Sequence, residues 1–513
     1  MSKVSGSLFK VSKLLHKYLG IIFLLYFILM GITGILINHP DLVKPFSVPL
    51  SFVPSGYKYT DWNRMSVREA VFSRDLKDTH YICGREGVWV SRDRGKTYSA
   101  LKDGFPDSPG NKDTSSLIII KARDSSMLYA GTGDGLYYCR EGDCRWKKID
   151  FEDSVYDRKI IDLINTGENV LAFTERACYR LDRKKGTPVL RPFGLAIDAE
   201  PPEEAPLYRL LFRIHDGSVF GLAGKLFADA VALVLIFLCI GAVYIWYMPW
   251  KKKYFKRKYF SKPLLFRFFH RYHLKLGIYS AFFIAVIAIT GIFIRPPLIG
   301  TIMKYRVPIE WLNDYTAVTA LPLEIKKAAY IPEDNSILLA AAGGKFYRGP
   351  ADLSEPLKGY PVKVPVSGMG VNTLEPLNKG KILIGSFTGF FIWDDLIKQA
   401  ADVNGVVTDT SKRSKTNMAG MSAGAAVKNG EIEFLADYRK GIKSLSGKTA
   451  PLMPVKVVTE GSMSFYSVLF EIHNARFFRD IFGSINRIII PLGGILLVLT
   501  AATGTYDWIY RKL

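Results

Sequence analysis

His16-Lys17-Tyr18-Leu19-Gly20 leads into a charge-free run from Tyr18 to Asn38 that carries Thr33-Gly34. The same pattern returns as His273-Leu274-Lys275-Leu276-Gly277, which leads into a second run, Leu276 to Ile294, carrying Thr290-Gly291. Histidine and second glycine are 18 positions apart in both copies (16 to 34, 273 to 291). A second pattern also repeats. Phe220-Gly221 precedes Trp246 as Phe482-Gly483 precedes Trp508, with glycine and tryptophan 25 positions apart each time (221 to 246, 483 to 508). The chain therefore reads as two copies of one unit: helix, extramembrane segment, helix. Copies that start on the same side are related by an axis along the membrane normal.

Four runs lack charge, Tyr18 to Asn38, Ala230 to Trp250, Leu276 to Ile294 and Ile488 to Tyr506, each 19 to 21 residues long. At about 1.5 Å per residue, each matches the roughly 30 Å hydrocarbon core. The first run is too long for a signal-peptide core, and Ile37-Asn38-His39-Pro40 offers no small-residue cleavage site, so it reads as a retained helix. Apolar residues make up 49% and charged residues 23% of the 513, so the membrane character is concentrated in these runs. The net charge of +22 raises nucleic acid as a partner, but the basic residues cluster beside apolar runs and no zinc-finger, RNP or helix-turn-helix pattern accompanies them. The lipid bilayer is the better partner.

Lys251-Lys252-Lys253-Tyr254-Phe255-Lys256-Arg257-Lys258 joins the second and third runs, Lys3, Lys10, Lys13 and Lys17 precede the first, and Arg511-Lys512 follow the last. Basic flanks mark the cytoplasmic side. A bacterial inner-membrane protein with both termini inside is expected. Its parts would be a cytoplasmic N-terminus with the first membrane helix (1–39), a first extracytoplasmic β-rich domain (40–212), a second helix (213–250), a basic loop (251–269), a third helix (270–296), a second extracytoplasmic β-rich domain (297–470), and a fourth helix with the C-terminus (471–513). Cys83, Cys139, Cys144 and Cys178 all fall in the first outer segment, where an oxidising compartment allows pairing; Cys139 and Cys144, flanking a short Gly-containing loop, are the expected bridge. Cys239, inside a membrane run, reads as packing.

The outer segments carry strand signals. Leu128 to Tyr138 and Ile382 to Ile392 share an apolar, Gly-turn, aromatic rhythm. Ser91-Arg92-Asp93-Arg94-Gly95-Lys96-Thr97-Tyr98 resembles the Asp box, S-x-D-x-G-x-T-[WY], a structural turn of propeller blades. Residues 399–425, rich in small and polar types, read as a long loop. The fold expected is thus membrane α+β: a four-helix transmembrane bundle from a tandem duplication, with two propeller-blade-like outer domains.

Of seven histidines, only His80 lies well away from a membrane run. His16, His270 and His273 fall at inner helix ends; His39, His215 and His473 fall toward outer ends. Ionisable groups at membrane depth are functional candidates, and neutral imidazole ligates metals. By the repeat, His16 and His273 face each other across the pseudo-twofold axis, and so do His215 and His473. Two facing imidazoles suit the two axial positions of a b-type haem held between helices. Candidate ligands of haem iron are therefore His16 with His273 and His215 with His473. His270, one turn before His273, is a weaker rival inside, and His39 a weaker rival outside. By rise alone, His215 and His473, each 15 positions before its charge-free run, stand on the order of 20 Å above the apolar core unless those helices tilt or start as semi-buried amphipathic segments. From His473 to Gly483 is ten positions, against six from His215 to Gly221, which implies an insertion in the fourth helix.

The sequence resembles the PepSY-associated transmembrane proteins, which include iron-regulated membrane proteins and ferric-siderophore reductases. The resemblance rests on Leu15-His16-Lys17-Tyr18-Leu19-Gly20 with Gly31-Ile32-Thr33-Gly34, on Ile214-His215-Asp216-Gly217 with Gly221 and Gly224, and on Gly241 to Trp246. Its later copies are His270-Arg271-Tyr272-His273 with Gly277, and Ile472-His473-Asn474-Ala475-Arg476. It implies a membrane reductase with two haem b groups that carries electrons from the inside to a ferric chelate outside. No GxGxxG fingerprint is present, so the donor would be a quinol or a separate reductase. The alternative is a non-enzymatic receptor or scaffold whose propeller-like domains bind a ligand or protein. A transporter is weaker, because Asp229 is the sole candidate carboxylate near the membrane core.

Overall fold

A computed structural model of the protein describes residues 3–512 apart from 122–124, 153–157, 184–187, 200–202, 256–262, 313–320, 322, 408–419 and 445–452. The basic run Lys256-Arg257-Lys258 and much of the expected loop 399–425 lie outside the described residues.

The membrane half is built from α1 (Lys3–Ile22), α2 (Leu24–Asn38), α3 (Leu207–His215), α4 (Gly221–Phe255), α5 (Pro263–Phe293), α6 (Phe465–His473) and α7 (Asn486–Tyr510). Among the described residues, Ser218–Lys251, Leu264–Phe293 and Arg476–Tyr510 are long and apolar enough to cross a membrane. α1 and α2, bent by 61°, make a fourth crossing if taken as one span. Contacts run from α2 to α4, α4 to α5, α5 to α7 and α7 back to α1. Phe9 stacks on Tyr510 at 4.3 Å and Ser12 Oγ donates to Thr503 O at 3.2 Å, so the two chain ends meet at one end of the helices. The expected basic loop 251–269 is shorter than read: α4 continues through the lysines to Phe255 and α5 begins at Pro263, because lysine is a good helix former and nothing in that stretch breaks the helix.

Where the chain leaves the helices, two short ribbons form. Ser47–Pro49 pairs antiparallel with Ser462–Ser464, and Arg306–Pro308 pairs antiparallel with Glu204–Pro206. Hydrogen bonds around them match pair by pair: Leu50 N to Gly461 O and Ile309 N to Glu203 O, then Phe465 N to Phe46 O and Leu207 N to Tyr305 O, all at 2.9 Å. Each ribbon joins a strand that follows one copy's first helix to a strand that precedes the other copy's second.

The remaining residues form six antiparallel blades. Blade 1 starts at Glu69–Phe72, blade 2 at Thr114–Lys121, blade 3 at Asp162–Asn165, blade 4 at Ile325–Ile331, blade 5 at Val371–Leu377 and blade 6 at Ser422–Lys428. These six inner strands touch in sequence, and the ring closes where Glu69 and Ala70 pair in parallel with Ala425 and Ala426. An apolar core fills every junction. Leu171 and Phe173 meet Ile325 and Leu339 between blades 3 and 4, and Trp62, Ile82 and Trp89 meet Ala423, Ala426 and Ala436 between blades 6 and 1. The segments 40–212 and 297–470 are therefore not two separate domains. Each supplies three blades to one ring, because a sheet with two apolar faces must be covered on both.

The Asp box is a turn in blade 1. Thr97 Oγ1 donates to Asp93 Oδ2 at 2.6 Å, Gly95 N donates to Ser91 Oγ at 2.7 Å, and Tyr98 packs against Trp62 at 5.1 Å. Next to it, His80 Nε2 meets Tyr98 Oη at 2.7 Å, and burial pushes the imidazole down to about 4. Cys139 and Cys144 form a disulfide; Cys83, Cys178 and Cys239 are buried thiols.

At the ring's centre, the inner strands of blades 1, 3, 4 and 5 bring together Glu69, Asp162, Lys327 and Glu375. Lys327 Nζ lies 3.1 Å from Asp162 Oδ1 and 3.9 Å from Glu69 Oε2. Burial opposes the ammonium, but Asp162 and Glu69 outweigh it and hold Lys327 above the usual lysine range. Burial pushes Glu375 up, and raises Glu69 to about 7 against the pull of Lys327. A carboxyl with a raised folded pKa binds protons on folding, so its contribution is complete below the unfolded value and fades as pH rises through the folded one. Stability should therefore fall by on the order of 1–3 kcal/mol between about pH 5 and 8, and the thermal midpoint with it. Glu69→Gln should flatten that slope; an unchanged slope in a scan of both proteins would rule the effect out.

Candidate cofactor site: two pairs of histidines

α3 and α6 each end on a histidine, His215 and His473. Two residues on, the backbone turns left-handed, at Gly217 (φ 80°) in one copy and Ala475 (φ 58°) in the other. The chain then passes Gly221 (φ 62°, ψ −143°) or Gly483 (φ 55°, ψ −133°) before the long helix starts. The turn is tight: a Cβ on Gly224 would stand 2.1 Å from Gly217 O. The extra residues before Gly483 form a short helix, Arg479–Phe482. His215 and His473 thus sit on separate short helices packed against the long ones, which removes the height expected from a continuous helix.

Each of these two rings is seated by the Thr-Gly pair of the other copy. His215 Nδ1 lies 2.8 Å from Ile287 O and 3.3 Å from Thr290 Oγ1, and a Cβ on Gly291 would come within 2.8 Å of its Cε1. His473 Nδ1 lies 2.9 Å from Thr33 Oγ1, with Gly34 beneath the ring. Thr33 Oγ1 donates its own proton to Leu29 O at 2.7 Å, so the imidazole must donate to Thr33. A carbonyl likewise requires Nδ1–H on His215. In both, Nε2 is left with its lone pair, the form that binds a metal.

The second pair lies near the chain ends. His16 Nδ1 donates to Thr500 O at 2.9 Å, and a Cβ on Gly504 would meet its Cε1 at 2.7 Å. His273 lies beside Gly241, and its Nδ1 is buried without a partner, with the Leu238 carbonyl close but outside hydrogen-bond geometry. Ring centroids are 6.3 Å apart for His16 and His273, and 6.2 Å for His215 and His473. Two metal–imidazole bonds of about 2 Å plus the two half-rings come to about 6 Å, so the ring separation in either pair matches that of two imidazoles sharing one metal atom. Among the described residues no group of three or more His, Cys, Asp or Glu could hold a metal ion. What the geometry offers is imidazoles in twos, each with a glycine beside the ring. That fits haem, which brings four equatorial nitrogens of its own.

A cavity of about 330 Å³ opens beside His215 and His473, walled by Phe27, Ile284 and Leu497 and bordered by Asn38, Asp229, Arg295 and Asn474. A second, of about 310 Å³, lies between Leu24, Ile240, Tyr244 and Phe269 and does not include the other two histidines. Of the rival ligands, His39 is engaged with Asp229, Nε2 to Oδ2 at 2.7 Å, and does not line the first cavity. His270 is exposed and stacks on Phe266 at 6.0 Å.

A family profile described as PepSY-associated TM region matches residues 165–511. The chain belongs to the PepSY-associated transmembrane family. In this PepSY-associated protein the match takes in blades 3 to 6 and the helices from α3 onward, which include His215, His273 and His473. No curated protein matches the chain. Similar solved structures include the extracellular domain of a hybrid two component system from B. thetaiotaomicron, at 10% identity and TM-score 0.37 over 79% of this chain and 36% of that one. The same region described as a one component system gives 8% and 0.35, over 75% and 39%. The β-propeller domain of Cps50 (Swd1) from Myceliophteria thermophila gives 9% and 0.33, over 76% and 90%. The chain thus spans under two-fifths of the first two.

A glycine lies beside each of the four rings, and two of these glycines, Gly34 and Gly291, belong to the repeated Thr-Gly pairs. Gly20 and Gly277, four residues after their histidines, face neighbouring helices, where an added Cβ would stand 3.8 Å from Thr500 and 4.0 Å from Leu238. Gly241 and Gly504 were missed as seats. The available signal was their nearly equal distance before Trp246 and Trp508.

Proposed function

We propose that this chain is a reductase of the bacterial inner membrane, built by tandem duplication into a four-helix bundle with both termini inside. His16 with His273, and His215 with His473, would each hold one b-type haem, and the two groups would supply the one-electron chemistry for reducing a ferric chelate on the propeller side. The observation that carries the reading is the doubled imidazole pair, each with centroids just over 6 Å apart and a glycine beside every ring. From His273 to Gly291, which touches His215, is 18 residues of α5, or about 27 Å, so the pairs stand near opposite faces of the hydrocarbon core. When bound, haem supplies reversible one-electron chemistry at its iron. The protein's part is to present Nε2 by anchoring Nδ1, to keep water from the apolar cavity, and to leave room for a flat ring. A quinol or a separate reductase on the inner side is the donor.

A receptor or scaffold is the second reading, favoured by a closed ring of six blades, an architecture suited to binding at its open faces. One measurement separates the two. Purified protein should be red, with a Soret band and about two haems per chain by pyridine haemochrome assay; a colourless preparation from haem-replete cells would leave the receptor reading.

A further inference from the structure

Arg295 lies one turn past Gly291, the seat of His215, and is the one lysine or arginine lining the propeller-side cavity among the described residues. Its Nη2 donates to Asn474 O at 2.9 Å, and among the described residues it has no ion pair. The carboxylates around it are already committed. Glu471 accepts two hydrogen bonds from Arg476, at 2.8 and 2.6 Å, and one from Tyr57 at 2.5 Å. Asp229 accepts from Asn38 and pairs with His39, while Asp216 caps Ser218 N. The neighbouring Asn474 is 7% exposed, yet among the described residues its Nδ2 has no hydrogen-bond partner.

The counterpart of Arg295 in the first copy is neutral. Asn38 donates to Asp216 O at 3.1 Å as Arg295 donates to Asn474 O. At this matched position the repeat thus carries a guanidinium on one side only. A cation mostly out of water without a counter-charge is costly. Its planar fork of donors is shaped to receive a carboxylate through two parallel hydrogen bonds.

We infer that Arg295, with Asn474 beside it, anchors a carboxylate of the molecule that fills this cavity, namely a propionate of the propeller-side haem. This rests on the haem reading and adds to it a fixed orientation: one edge of the macrocycle is held by charge while the iron is held by His215 and His473. The missing counter-anion of Arg295 then arrives with the cofactor, so cofactor and cation stabilise each other.

The test uses full-length apoprotein carrying His16→Ala, so that only this site is loaded, and compares haem with haem dimethyl ester, which lacks the free carboxylates. With Arg295 intact, haem should leave to apomyoglobin at least about tenfold more slowly than the ester, the worth of one charge-assisted contact. In Arg295→Gln the two should leave at similar rates. Arg295→Lys, which keeps the charge but not the fork, should fall between and serves if the glutamine variant does not fold. Equal rates for haem and ester with Arg295 intact, or an unchanged ratio in Arg295→Gln, overturn the inference and leave the haem reading standing. Uptake of neither porphyrin overturns the haem reading itself, and this inference with it.

Discussion

Replacing either His16 or His273 by alanine is expected to remove about half of the bound haem, and replacing either His215 or His473 should remove the other half. A low-spin b-type haem needs both axial nitrogens, and one imidazole cannot supply two. Every ring but His273 has its Nδ1 held by a carbonyl or hydroxyl, Thr500 O in the case of His16, so alanine removes that anchor together with the ligand. His270→Ala should keep full haem, since its ring stacks on Phe266 away from the pair. His39→Ala should keep it too, because its partner is Asp229. Gly504→Leu is the informative companion: it leaves every ligand in place but drives a side chain into the His16 ring, where even a Cβ comes within 2.7 Å, so it should mimic His16→Ala. The measurement is haem per folded chain together with the reduced α-band. Full haem in both His16→Ala and His273→Ala would defeat the assignment.

Residues 40–212 produced alone should fail to fold, whereas the chain cut within 256–262 and co-produced as two pieces should assemble. Three blades end in two uncovered apolar faces. At the junction of blades 3 and 4, Leu171, Phe173, Ile325, Ile337, Leu339 and Leu357 are all fully buried, and the junction of blades 6 and 1 adds Trp62, Val67, Ile82 and Ala426. Burying a large apolar side chain contributes about 1.5–3 kcal/mol, so the two junctions together hold on the order of 15–25 kcal/mol of gross stabilisation, more than a typical domain's net stability. The cut piece keeps both halves and loses only a connection at the far end of the helices. Circular dichroism and limited proteolysis would read the outcome. A folded, protease-resistant 40–212 would mean that the half-ring is a domain after all.

The repeat itself was legible in the chain. A histidine and a glycine held 18 positions apart, twice, forecast which residues would recur at equal depth, because a helix converts spacing directly into height. The pairing of His16 with His273 and of His215 with His473 followed from that. Strand character was equally legible, since alternation and Gly-centred turns are local signals. The Asp box pointed to the Ser91 to Tyr98 turn for the same reason.

Spacing along one helix says nothing about which neighbour a side chain meets. That His473 would rest on Thr33 and Gly34, and His215 on Thr290 and Gly291, depends on the short helices α3 and α6. Those helices exist because left-handed turns at Gly217 and Ala475 break what sequence alone reads as a long approach to the membrane. The same holds for Gly241 and Gly504, whose role is set by rings arriving from helices far away in sequence. The largest divergence was the ring of six blades, read as two domains because each segment is long enough for one. Blade order within a segment is local, but closure is decided by faces meeting across more than 300 residues, as Glu69 does with Ala425. What the sequence determined by itself was therefore periodicity: four apolar runs, two repeated spacings, and local strand and turn signals in both outer segments. Which copy covers which face, and which glycine lies beside which histidine, was decided only by tertiary packing, because burial rewards any apolar partner of the right shape and names none of them in advance.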